Sequence, residues 1–241
     1  MFNLETNKHN MQTIGIIGGI SWVSTIDYYR YINERINRRL GDMNAGRIIL
    51  YSVNYEDIKT LTFAGNWKGI ADMISDVARK LEAAGAHCIL IGANTMHKIA
   101  GEVQAAVSIP VIHIAVETAK AIRGQQIKKV GLLGTKYTME QDFFPSRLAA
   151  LGIETIIPGD DDRQYIHDAI YEEMGKGLFL PATKERVLSV IKALALKGAE
   201  GVVFGCTEIP LLIQPEESPL PVFNTTQIHA EAAVQFALGA A

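Results

Sequence analysis

Two residues of the chain, Cys88 and Cys206, carry thiols, and their surroundings differ. Cys206 follows Gly205 at the end of the run Gly201-Val202-Val203-Phe204 and precedes Thr207-Glu208. Backbone amides at the start of a following helix would lower the pKa of that thiol and make its thiolate usable as a base or nucleophile. Cys88 lies inside the apolar run Cys88-Ile89-Leu90-Ile91, where a thiol is an inert core group. His97 follows Asn94-Thr95-Met96, and both a polar site role and a helix-capping role fit it; His113, within Val111-Ile112-His113-Ile114, reads as structural. No Cys-x-x-Cys and no His-rich spacing points to zinc. Gly15-Ile16-Ile17-Gly18-Gly19 lacks the G-x-G-x-x-G spacing and an acidic residue closing the next strand, which argues against a dinucleotide site. In Gly134-Thr135-Lys136 a threonine separates glycine from lysine, so this is not a phosphate-binding P-loop.

The elements that must position these groups alternate between short β-branched runs and longer segments of helical period, the pattern of βαβ units with parallel sheets. Strands are predicted over 13–17, 47–52, 88–91, 111–114, 129–133, 154–157, 202–204 and 221–223. Helices are predicted over 66–84 and 181–197, with Gly85 and Gly198 as their stops. The chain also aligns with itself. Residues 85–93, GAHCILIGA, match 198–206, GAEGVVFGC, without a gap at an offset of 113 (206 − 93). Ile14-Gly15-Ile16-Ile17-Gly18 pairs with Val130-Gly131-Leu132-Leu133-Gly134, and Ile109-Pro110-Val111 with Leu220-Pro221-Val222, in the same order. Three co-ordered matches predict a duplicated α/β protein of two pseudo-symmetric domains, each a mainly parallel four-stranded sheet flanked by helices. The boundaries read as a loose tail over 1–11 that is not a signal peptide, a first domain of 12–111 plus 222–241, and a second of 112–221.

Ligands of parallel α/β sheets bind beyond the carboxyl ends of strands. The segments to search are therefore Gly18-Gly19-Ile20-Ser21, Gly92 to His97, Gly134 to Thr138, and Gly205-Cys206-Thr207-Glu208. Their glycines admit close backbone approach, and amides at the following helix starts favour an anion such as a carboxylate. Composition fits this picture. With 48% apolar and 20% charged residues and a net charge of −3, the chain reads as a folded soluble protein with no basic patch for nucleic acid. Its apolar runs are far shorter than the roughly 20 residues of a membrane span, and its two cysteines suit a reducing cytoplasm.

Asn94-Thr95 after a strand of the first half and Gly205-Cys206-Thr207-Glu208 in the second resemble the paired signatures of the aspartate/glutamate/hydantoin racemase superfamily. Residues 18–22 (GGISW), 134–143 (GTKYTMEQDF) and 228–231 (IHAE) resemble its bacterial aspartate/glutamate racemase branch, over about residues 13–238. The resemblance implies a cytoplasmic, cofactor-independent homodimer that racemises an acidic amino acid in a cleft between the domains. Two residues on opposite faces of Cα would exchange the roles of acid and base. Both are cysteines in most members. Carried over, one is Cys206 and the other falls on Ala93, and a methyl group can neither take nor give a proton.

By the same resemblance, the backbone around Asn94, Thr95 and Thr207 and the side chains of Asn94, Thr135 and Thr138 hold the α-carboxylate, with Ser21, Glu208 and His97 as further substrate-binding positions. An arginine and a lysine of many aspartate racemases correspond to Ile58 and Gln164 here, which leaves Arg163, beside a charged Asp160-Asp161-Asp162 loop, as the nearest basic residue for a distal carboxylate. Three readings of Ala93 stay open: an engineered or impaired racemase, a one-thiol enzyme that protonates from one face as arylmalonate decarboxylases do, and a catalytically silent sensor of acidic amino acids.

Overall fold

The computed structural model describes residues 11–239. The predicted tail lies outside these residues except for Met11, which is buried in a hydrophobic core and accepts a hydrogen bond from Arg47 Nη1 at 3.3 Å. Strands β1 (Ile14–Gly18), β2 (Ile48–Ser52), β3 (Cys88–Ile91) and β4 (Val111–Ile112) form one parallel sheet in the order β2-β1-β3-β4. Strands β5 (Lys129–Gly134), β6 (Glu154–Ile156), β7 (Gly201–Gly205) and β8 (Val222–Asn224) form a second in the order β6-β5-β7-β8. The two orders are the same order four strands on, as the internal repeat predicts.

The helices are α1 (Trp22–Leu40), α2 (Tyr55–Phe63), α3 (Trp67–Ala83), α4 (Ala100–Ala106), α5 (Ile114–Gly124), α6 (Lys136–Glu140), α7 (Pro145–Ala149), α8 (Asp160–Glu172), α9 (Pro181–Leu196), α10 (Ile209–Leu212) and α11 (Thr225–Ala237). Their limits follow local chemistry. Asn66 accepts from Gly69 N to cap α3, and a proline opens α9. The repeat-equivalent Gly85 and Gly198 end these two helices with φ of +96° and +89°, a conformation costly to any residue with a Cβ. The run predicted as a strand over 111–114 stops at Ile112, because only Val111 and Ile112 pair with β3, and Ile114 already opens α5 with its side chain buried.

The chain packs as two compact units. The first holds the described residues up to Gly92, Ile99–His113 and those from His229 onward; the second holds Ala93–Lys98 and Ile114–Ile228. The sequence boundary at 222 would cut β8 from its sheet, whereas the ladder from β7 to β8 keeps those residues with the second unit. Segment 93–98 also packs there. In the first unit Ile14, Ile16, Tyr28, Ile32, Leu90 and Val234 share a core. In the second unit both sheet faces are buried: Leu133, Val202 and Phe204 lie in one cluster, and Leu132 and Val203 in another. Covering both faces explains why the central strands are continuously apolar and do not alternate. No described helix is long and apolar enough to cross a membrane.

Candidate active site

The end of β7 places Cys206, Thr207 and Glu208 ahead of the short α10. All three are buried. Cys206 Sγ donates to Glu208 Oε2 at 2.7 Å, and Thr207 Oγ1 donates to the same oxygen at 2.9 Å. The amides of Glu208 and Ile209 do favour the thiolate, as the sequence suggested, but they are outweighed. Burial first, and then the negative charge and hydrogen bond of Glu208, push the Cys206 thiol well above its ordinary range. The expectation of a lowered pKa is thus reversed: water is excluded and the nearest charged group is an anion. Cys88 is fully buried, and burial pushes its thiol up to about 12, in keeping with an inert core residue.

The segment after β3 belongs to the same unit as Cys206. Ala93 precedes Asn94, and Thr95–Ile99 form a single 3-10 helix that carries the buried His97. Thr95 Oγ1 lies 2.9 Å from Thr135 Oγ1 and 3.4 Å from Thr138 Oγ1, and the latter two are 3.3 Å apart. Three threonines singled out from two separate stretches of sequence therefore meet as one buried hydroxyl cluster. Thr135 holds its place by capping α6, its hydroxyl accepting from Thr138 N. Asn94 donates from Nδ2 to Thr225 Oγ1 at 3.0 Å, while its Oδ1 is buried with no hydrogen-bond partner among the described residues.

Ser21 belongs to the first unit, at the N-cap of α1. Its carbonyl accepts from Thr25 Oγ1 at 2.8 Å, and its own Oγ is buried without a partner among the described residues. Gly19 just before it has φ +81°, and a Cβ there would come within 2.2 Å of Val53 O, so the close approach of this turn to the end of β2 requires glycine. Arg163 is not on a loop. Asp160–Asp162 form the first turn of α8, where acidic residues suit the helix dipole. The guanidinium is held by Glu140 at 3.0 Å, by Asp160 and by Pro158 O at 2.7 Å. Gln164 takes Lys136 Nζ at 3.1 Å and donates to Asp168 at 2.8 Å, and Ile58 is buried on α2.

Thr225, at the start of α11, was not singled out by the sequence reading. The repeat carries a signal for it: α5 and α11 begin at equivalent places, at an offset of 111 (225 − 114), with Ile114 in one copy and a hydroxyl residue in the other.

The family model described as Asp/Glu/Hydantoin racemase matches residues 17–233. The chain belongs to this family. Among solved structures, a Yersinia pestis protein assigned to the Asp/Glu racemases is 46% identical, covers 95% of this chain and 100% of its own, and superposes with a TM-score of 0.88. An aspartate racemase homologue from Pyrococcus horikoshii is 33% identical over 94% of this chain and 99% of its own, with a TM-score of 0.80. The broad specificity amino-acid racemase RacX of Bacillus subtilis is 27% identical, covering 92% of this chain and 96% of RacX. As a member of the racemase family, the protein is an isomerase, and its two four-stranded parallel sheets are the architecture of its racemase neighbours.

Proposed function

We propose that the protein exchanges the Cα proton of an acidic amino acid, aspartate or glutamate, with Cys206 as one acid/base and Ala93 at the position of the other. The observation that carries this reading is the buried Cys206 thiol donating at 2.7 Å to the Glu208 carboxylate. A thiol with a raised pKa rests in its protonated form, and the adjacent carboxylate is the group able to take that proton when the sulfur must act as base. Negative charge developing at Cα would spread into the α-carboxylate. The amides around Asn94, Thr95 and Thr207 and the hydroxyls of Thr95, Thr135 and Thr138 supply donors for it. With a methyl at position 93, a proton removed on the Cys206 side returns chiefly on that side, so exchange with retained configuration outpaces inversion. Arg163 would have to leave Glu140 and Asp160 to reach a distal carboxylate. Cofactor independence and a homodimer enter this reading through the family resemblance, and a cytoplasmic setting through the two cysteines of the chain.

Incubation of each enantiomer of aspartate and glutamate in deuterated water, read by mass spectrometry and chiral chromatography, tests the proposal. Deuterium is expected at Cα of one enantiomer faster than inversion. Tight binding with no exchange of either amino acid overturns it. The protonated resting state of Cys206 also favours a second reading, one-face protonation of the carbanion left by decarboxylation. Disubstituted malonates in the same assay separate the two, since carbon dioxide release without amino-acid exchange selects the second.

A further inference from the structure

The carboxamide of Asn94 is oriented by a proton count. Thr225 is fully buried, and its Oγ1 lies 2.7 Å from the carbonyl of Phe204 at the end of β7. A carbonyl only accepts, so the single hydroxyl proton of Thr225 is committed to Phe204. Towards Asn94 the same oxygen is then an acceptor, and it takes a proton from Nδ2 at 3.0 Å. The reverse orientation would set two acceptors against each other between two buried side chains. Asn94, 4% exposed, is thus left with Oδ1 as a buried acceptor that no group among the described residues satisfies. A buried, unpaired carbonyl of this kind is costly, on the order of 1–3 kcal/mol, and calls for a partner.

We propose that Thr225 is a positioning residue that locks the Asn94 carboxamide so that Oδ1 receives the α-ammonium group of the substrate. This rests on the reading of the site as one for an acidic amino acid, and it moves the Asn94 side chain from the carboxylate to the ammonium. The chemistry discriminates between ligands. An amino acid supplies the N–H donors that Oδ1 lacks, whereas the dicarboxylate of the same length without the amine leaves Oδ1 as it is. Recognition of the amine would then depend on a hydroxyl that need not touch the ligand, carried by a helix start whose repeat equivalent, Ile114, has none.

The test compares aspartate with succinate on wild type, Thr225→Val and Thr225→Ser by calorimetry. Valine keeps the shape and removes the hydroxyl; serine keeps the hydroxyl. In T225V aspartate affinity is expected to fall about tenfold, while succinate affinity stays within about twofold, and T225S keeps the wild-type ratio. An unchanged ratio in T225V, or equal weakening of both ligands, overturns the proposal. A second measurement needs no ligand: the side-chain NH2 protons of Asn94, followed by 15N-resolved hydrogen exchange, should be protected in wild type and T225S and released in T225V. Equal exchange in all three proteins also overturns the positioning role. A wild type that binds neither ligand but shows this protection pattern refutes the acidic amino-acid reading and leaves the lock on Asn94 standing.

Discussion

Positions 93–95 and 206–208 are the same three places in the internal repeat, at an offset of 113 (206 − 93), and they are filled with different chemistry. At 206–208 a thiol donates to a carboxylate two residues on. At 93–95 the thiol's place holds a methyl group, and the carboxylate's place holds Thr95, whose hydroxyl joins Thr135 and Thr138. On the proposed reading, the backbone duplication therefore carries a proton-transfer pair in one copy and a neutral hydrogen-bonding set in the other. On that reading an acid/base position pairs a sulfur with the group that receives its proton, and the two copies differ at both of these residues as well as at the Asn94/Thr207 place between them.

The largest expected effect comes from making the copies alike. Ala93→Cys should raise racemisation of aspartate or glutamate by about 10²–10⁴-fold, the usual contribution of one positioned acid/base. Ala93→Thr should give a smaller gain, because an alcohol is a weaker acid than a thiol. Chiral chromatography of the product reads both. No gain in either variant would break the comparison, since position 93 would then have no part in proton transfer.

The two units also bury titratable groups with opposite shifts. In the first unit His229 lies in a fully enclosed pocket, its Nδ1 2.8 Å from Tyr28 Oη and its Nε2 2.7 Å from the Ile112 carbonyl. Ile112 can only accept, so Nε2 carries the proton and Tyr28 donates to Nδ1. Burial lowers its pKa to about 3. A folded-state pKa below the unfolded value makes a contribution to stability that is complete above about pH 6.5 and is lost as pH falls towards 3. Cys206, raised instead, makes a contribution that is complete below the ordinary thiol range and is lost as pH rises beyond it. Urea unfolding of the wild type should therefore lose about 1.4 kcal/mol per pH unit below pH 6.5 from His229 alone. His229→Gln should flatten that slope while leaving the alkaline limb unchanged. An equally steep acid limb in the variant would remove His229 from the account.

Much of this arrangement was legible before any coordinates. The repeat anticipated two sheets of identical order, and glycines 85 and 198 marked two helix ends, because backbone geometry writes itself locally. Strand ends marked the segments that hold Thr95, Thr135 and Thr138, the family resemblance picked out the residues, and their hydroxyls meet in space. Three features were not legible. The pKa of Cys206 depends on how completely the surrounding core excludes water, which no neighbour in sequence reports. The ties of Arg163 follow from α8 starting at Asp160, which puts Asp160 and Arg163 together at its N-terminal end in place of a charged loop. The role of Thr225 needs a hydroxyl from 131 residues away to meet Asn94, and only the contrast with Ile114 hints at it.

The smallest expected effect isolates the carboxylate half of the pair. Glu208→Gln keeps the size and the hydrogen-bonding capacity of the side chain and removes its charge. Burial is the first cause of the raised Cys206 pKa and is unchanged by the substitution; the Coulombic contribution of Glu208 disappears. The pKa should therefore fall only part of the way, and at fixed neutral pH a larger fraction of Cys206 is thiolate. Alkylation by iodoacetamide, followed at Cys206 by peptide mass spectrometry, is expected to quicken several-fold, with Cys88 as an internal control because burial, with no contribution from Glu208, sets its thiol pKa. An unchanged rate would mean that burial alone holds the proton on sulfur. The difference between the two repeat copies would then reduce to thiol against methyl, with Glu208 a bystander.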